Sequence, residues 1–263
     1  MTDENSVEAA IEMELEVPGT PEEVWQAIAT GPGISSWYVP HRIEEREGGA
    51  ADASFGPGPE MQAKGKVAAW EPPRRFMITG ETEGEGLAFE WLIEAKEGGT
   101  CVVRLINSGF GQGGEWDAQY DAMTEGWKIF LTNLRLHLEY FAPEPASTAL
   151  PMAVWPVDQA TAWATLTTGL GISPTADAGD RITVQPASGA PALSGVVVQA
   201  KSHLYSLLID SPASGTGFIA CEGHGDSGAV SVWLYLYGEE GRQAAERDDP
   251  AWRAWLDATT PSS

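Results

Sequence analysis

Residues 65–137 constrain the fold more than any other part of the chain. Gly65 to Glu71 reads as a strand running into Pro72-Pro73, a dipeptide that cannot continue a central sheet. Beyond it, Phe89, Trp91 and Ile93 alternate with Glu90, Leu92 and Glu94. Val103, Leu105 and Asn107 alternate with Val102, Arg104 and Ile106. Period two puts one set on a buried face and the other toward water. A helix then begins near Glu115 and carries Trp116, Tyr120, Met123, Trp127, Phe130, Leu134 and Leu138 on one side, ending near Phe141. Strands followed by one long amphipathic helix imply a curved antiparallel sheet with the helix laid across it and a cavity between the two.

The entry to this region has its own signals. Ile11, Met13, Leu15 and Val17 alternate with Glu12, Glu14 and Glu16, a strand with one wet face. Thr20-Pro21-Glu22-Glu23 has the form of a capping box with proline at the first helical position, and that helix runs through Val24, Trp25 and Ile28 to a stop at Gly31-Pro32-Gly33. Ile34, Trp37 and Tyr38 suggest a further helical turn or two. Gly48-Gly49, the Gly-Pro run at 56–59, Pro72-Pro73, Gly84 to Gly86 and Gly98-Gly99 divide residues 42–110 into strands.

Residues 142–151 read as a Pro-rich linker, which gives a first domain at 1–141 and a second at 152–263. The second half repeats the order in shortened form. Pro156 opens a helix with Ala160, Trp163, Ala164 and Leu170 as core positions. Strand-like runs follow at 181–185, 193–201, 203–210, 216–222 and 229–237, and a last helix carries Trp252, Trp255 and Leu256. Gly65 and Gly195, Trp91 and Ile219, Val103 and Val232, and Trp127 and Trp255 stand at similar stages of the two halves, about 130 residues apart.

Charge excludes some functions. A formal net charge of −23 repels phosphate backbones and anionic membrane surfaces, so no nucleic-acid partner is expected. No apolar run reaches the roughly 20 residues of a membrane span. The acidic start lacks the apolar stretch of a signal peptide, and the two cysteines, Cys101 and Cys221, form no disulfide framework. A cytoplasmic monomer or homodimer without membrane insertion is the expectation.

Several stretches together carry a family resemblance. They are Glu-Val-Pro-Gly-Thr-Pro-Glu-Glu-Val-Trp (16–25), Trp-Glu-Pro-Pro-Arg-Arg-Phe (70–76), Glu-Gly-Gly-Thr-Cys-Val-Val-Arg-Leu (97–105), Asn-Ser-Gly-Phe (107–110) and Glu-Gly-Trp (125–127). In this order they resemble the START-like, or SRPBCC, helix-grip superfamily, and within it the bacterial branch similar to the heat-shock-protein-90 ATPase activator. The resemblance covers about residues 8–141. It implies an α+β fold, an antiparallel sheet wrapped around a C-terminal helix, with an internal apolar cavity. Members of the superfamily include lipid carriers, hormone and polyketide binders, aromatic cyclases and chaperone co-factors, so the fold does not fix the function. Residues 152–263 are read as a degenerate second copy on element order alone.

Three motifs suggest chemistry and fail in context. Gly109 to Gly114 matches Gly-x-Gly-x-x-Gly, but a helix and a linker follow it, with no parallel strand and no acid to hold a ribose. A flexible entry loop, able to act as a lid, is the reading. Gly225-Asp226-Ser227-Gly228 resembles a serine-protease nucleophile loop, yet nothing gathers His41, His137 or His203 around Ser227, and a hairpin turn explains it. Cys221, His224 and Asp226 lack the second ligand cluster that a zinc site needs. No metal or cofactor is expected, and no catalytic pair stands out.

The remaining candidate is the cavity wall. Sheet-borne Trp91 and helix-borne Trp127 would meet there, with Asn107 and Tyr120 as rare polar groups beside them. Trp37, Phe76, Phe89, Trp91, Leu105, Asn107, Met123 and Trp127 are the expected ligand-binding set. The expected function is sequestration of a small apolar or aromatic molecule. A polyketide-cyclase-like or hydrolytic enzyme would need a polar cluster deep in the cavity. A co-chaperone-like interaction module would have a filled core and an exposed apolar patch.

Overall fold

The computed structural model describes residues 10–56, 58–81, 86–111 and 114–261. The chain divides into two compact units, Met1–Pro143 and Glu144–Ser263.

The first unit opens with strand β1 (Ile11–Pro18) and helix α1 (Pro21–Ala29). The capping box forms as the sequence predicts. Thr20 N–H donates to Glu23 Oε2 at 2.8 Å, and Glu23 N–H donates to Thr20 Oγ1 at 3.3 Å. Helix α1 stops at Ala29, immediately before Gly31-Pro32-Gly33, and that segment is itself the first turn of a second helix, α2 (Gly31–Ser35). Thr30 ends one helix and caps the next, its Oγ1 accepting from Gly33 N–H at 3.1 Å. Proline in a first turn forfeits only an N–H that has no intrahelical partner, so the same dipeptide can start a helix as well as end one. A Cβ on Gly33 would lie 1.9 Å from the Gln26 carbonyl oxygen. Gly33→Ala should therefore force α1 and α2 apart and cost about 1–3 kcal/mol, measured as a shift in the urea midpoint.

Strands β5 (Gly65–Glu71), β6 (Arg75–Gly80), β7 (Ala88–Lys96) and β8 (Thr100–Ser108) run as an antiparallel meander, and β1 returns beside β8. The order is β1-β8-β7-β6-β5. Strands β2 (His41–Ile43), β3 (Ala51–Ser54) and β4 (Gln62–Ala63) form a separate small sheet rather than extending the large one. The register sorts the faces. Ile11, Met13, Leu15 and Val17 sit opposite Asn107, Leu105, Val103 and Cys101. Trp91 and Phe89 sit opposite Leu105 and Asn107 on the other side of β8. The opposite face carries ion pairs, Arg104 with Glu14 at 2.6 Å and Arg75 with Glu90 at 2.6 Å. Helix α3 (Gly114–Tyr140) follows, with Trp127, Leu131 and Leu134 buried. The side chain of Trp116 lies outside the described residues, as do Gln112 and Gly113 of the glycine motif.

The second unit repeats the antiparallel meander, within a single seven-stranded sheet. It contains β9 (Ser147–Ala149), β10 (Met152–Trp155), α4 (Gln159–Leu170), β11 (Arg181–Thr183), β12 (Ser194–Lys201), β13 (Leu204–Ser211), β14 (Gly215–His224), β15 (Ser227–Leu236) and α5 (Gly238–Ala258). Its order, β10-β15-β14-β13-β12-β11, again places the first long-path strand beside the last. The four residue pairs matched in the sequence fall on corresponding elements, β5 and β12, β7 and β14, β8 and β15, α3 and α5. Gly65 and Gly195 also share a reason. A Cβ would lie 2.6 Å from the Thr79 carbonyl oxygen in one copy and 2.4 Å from that of Leu208 in the other.

Three sequence readings change here. Ser147–Ala149, inside the Pro-rich segment, is a strand paired with Tyr235 and its neighbours, so that segment is not all linker. Helix α4 starts at Gln159 under an Asp158 cap rather than at Pro156. Its buried side is Ala162, Trp163, Leu166, Thr167 and Leu170, and Ala160 and Ala164 face out. Gly225-Asp226 is the two-residue turn of a hairpin, with His224 opposite Ser227 and Gly225 at φ +59°. Trp155, Trp163, Trp252 and Trp255 all belong to the second unit's own core.

Candidate functional site

The segment leaving α2 positions the first unit's aromatic interior. Trp37 Nε1–H donates to the Ala27 carbonyl at 2.8 Å, and the Trp37 carbonyl accepts from Asn133 Nδ2 at 2.9 Å. Both ends of this residue are thus tied, one to α1 and one to α3. Its ring meets Trp91 edge-on at 5.6 Å, and Trp91 meets Trp127 edge-on at 5.5 Å. Phe89 stands 5.7 Å from Trp127. Tyr38 completes the set, 4.9 Å from Trp127 and 4.5 Å from Phe130. Edge-to-face contacts of this kind favour the ring quadrupoles as well as burying area.

Of the expected wall residues, Trp37, Phe89, Trp91, Asn107 and Trp127 come together in one cluster. Leu105 lies across the ladder from Trp91. Phe76 also faces Trp91 across a ladder, but its ring contacts are with Trp25 and Trp70, at 6.2 and 5.6 Å. Burial divides the set in two. Trp37, Phe76, Leu105 and Asn107 are 0% exposed and Trp91 1%. A side chain without accessible surface borders neither bulk water nor a space that would hold one water molecule, so these residues form a packed floor. Phe89, Met123 and Phe130 are half-buried and edge the accessible side.

Asn107 does not offer a free polar group. Its Oδ1 accepts from Trp127 Nε1 at 3.2 Å, and its Nδ2 donates to the Ala88 carbonyl at 3.1 Å. The amide satisfies the indole in an apolar interior, where an unpaired N–H would be costly. Tyr120 is also engaged, its hydroxyl donating to the Ala10 carbonyl at 3.1 Å.

Tyr38, Phe55 and His41 adjoin this cluster and are absent from the sequence-derived set. The Tyr38 ring lies 6.1 Å from Phe55 and 5.5 Å from the His41 imidazole. His41 Nδ1 lies 2.7 Å from the Val39 carbonyl oxygen. A carbonyl can only accept, so Nδ1 carries the proton and Nε2 is the bare lone pair. Burial holds this imidazole neutral, with its pKa lowered to about 4. The Tyr38 phenol is pushed well above its ordinary value by burial and stays protonated. Both cysteines are buried free thiols. Burial pushes Cys221 up to about 11, which leaves it a poor nucleophile at neutral pH. Among the described residues no group of three His, Cys, Asp or Glu side chains is placed to hold a metal ion, and no helix is long and apolar enough to cross a membrane.

Residues 18–139 match the family described as Activator of Hsp90 ATPase homolog 1-like protein. The first domain is START-like. Solved structures similar to the chain include protein MLL2253 from Mesorhizobium loti, 18% identical, covering 51% of this chain and 98% of that one with a TM-score of 0.43. The Aha1 dimer from Colwellia psychrerythraea is 19% identical over 51% of this chain and 98% of that one, TM-score 0.41. The di-domain ARO/CYC BexL from the BE-7585A biosynthetic pathway is 13% identical and covers 97% of this chain and 99% of its own, TM-score 0.46. No curated protein sequence matches. The START-like domain thus combines a packed aromatic floor with a half-buried aromatic edge next to one neutral histidine.

Proposed function

We propose that the START-like domain binds a small apolar or aromatic molecule at the accessible edge of its aromatic cluster, between the sheet and α3. The observation that carries this is the burial gradient. The floor residues have at most 1% of their surface accessible, while Phe89 and Phe130 of the same cluster, and Met123 one turn before Trp127 on α3, remain half-buried. A guest seated there would cover apolar surface at a gain of roughly 25 cal/mol per Å². Shape and ring edges, rather than ion pairs, would select it. Similarity to a di-domain ARO/CYC protein makes a cyclase-like activity the second reading, and the neutral His41 favours it.

Titration of the full-length protein with the neutral fluorophore N-phenyl-1-naphthylamine tests the first reading. Saturable binding with quenching of tryptophan emission is expected. Trp127→Ala removes the ring that links Phe89, Trp91 and Tyr38, and should weaken binding at least about tenfold. Unchanged affinity in a variant that keeps its native circular dichroism would overturn the reading.

A further inference from the structure

We infer that His41 is the polar recognition point of this site, and that the preferred ligand class is a neutral aromatic molecule carrying a hydroxyl group, whose O–H donates to Nε2. The inference rests on the binding reading above and narrows it.

The geometry comes from three links. Strand β2 begins at His41, whose backbone N–H donates to Ser35 Oγ at 2.9 Å. The imidazole is oriented by its Nδ1–H bond to Val39. Its ring stands 5.5 Å from Tyr38, and Tyr38 in turn packs on Trp127 and Phe130. The histidine therefore sits one ring away from the centre of the aromatic cluster.

Nε2 has no hydrogen-bond partner among the described residues, whereas Asn107 and Tyr120 are both occupied. It is also absent from the fully enclosed polar atoms that lack a partner, and the residue as a whole is half-buried. A lone pair that is reachable, unpaired and on an imidazole packed beside the Tyr38 ring is best matched by a donor on a flat apolar body. A phenol fits both demands. The ring packs edge-to-face with its neighbours, and the hydroxyl supplies the missing donor. Because the imidazole is a weak base in this setting, the proton stays on the ligand and no transfer is implied.

The test compares two ligands that differ only in the donor, 1-naphthol and its methyl ether 1-methoxynaphthalene, titrated into the full-length protein. The wild type should bind the naphthol about five- to tenfold more tightly, the scale of one neutral hydrogen bond. In His41→Leu the preference should vanish while the ether binds as before. His41→Gln, which keeps an acceptor, should restore part of it. Equal binding of both ligands to the wild type, or a preference that survives in His41→Leu, overturns the role of His41 and leaves pocket binding intact. Failure of the wild type to bind either ligand overturns the pocket reading and this one with it. The wild-type ratio needs no substitution, so a misfolded variant cannot imitate it.

Discussion

Trp91→Ala is expected to destabilise the START-like domain by about 3–5 kcal/mol, the cost of emptying a buried indole that its surroundings cannot refill. Trp91 is 1% exposed and is held on three sides, by Trp37 at 5.6 Å, by Trp127 at 5.5 Å, and by Leu105 across the ladder. Trp37 cannot move into the gap, because its indole N–H and its carbonyl are tied to Ala27 and Asn133. Trp127 is fixed by its bond to Asn107. Collapse is therefore blocked, which places this site at the costly end of large-to-small substitutions. Urea unfolding followed by tryptophan fluorescence measures the loss, and an unfolding free energy within about 0.5 kcal/mol of wild type would show that the floor is not packed as described. The vacated space should also admit guests. A variant that gains a benzene site in addition to any the wild type has would report the same cavity by a second route.

The elements that were legible in the sequence are those with a repeating local cause. Alternation in β1, β7 and β8 follows from one buried face, and the Thr20 and Glu23 pair announces a helix start because both capping groups lie within four residues. The doubled topology was readable too, since Gly195 recurs where Gly65 stands and for the same steric reason. What escaped depends on partners distant in sequence. That the second helical turn begins within Gly31-Pro32-Gly33 itself is decided by the Thr30 cap and by the close approach of Gln26. Strand β9 is short and proline-flanked, and only β15 makes it a strand.

The site shows the same division. Trp91 and Trp127 could be paired from periodicity, because each lies on the apolar side of its own element. His41 could not, because a three-residue strand has no period and the imidazole's role depends on the Val39 carbonyl and the Tyr38 ring. On the sequence alone Asn107 reads as a polar group free to meet a ligand, and in the fold its amide is occupied by Trp127 and Ala88. A sequence shows that a polar residue lies on an apolar face. It does not show whether the protein has already used both ends of it.

Mild acid should weaken the START-like domain before its carboxylates titrate. His137 is 2% exposed and His41 half-buried, and burial lowers both pKa values from the ordinary 6.5 to about 4. Between these limits the unfolded chain binds a proton at each histidine and the folded domain does not, so stability falls as pH drops from about 6.5 toward 4 and levels off below. A shift of this size corresponds to about 3 kcal/mol for a fully buried group. His137 should contribute most of it, and His41 less because solvent reaches part of its ring. Carboxylates of this domain whose pKa is lowered, such as Asp52 beside Lys64 and Arg42, lose their contribution only as the pH falls further, in a separate window. Thermal melts from pH 7.5 to 4.5 should show a falling midpoint in that upper window, flattened in His137→Leu. A midpoint constant from pH 7 to 4.5 would mean that neither imidazole is held neutral by the fold.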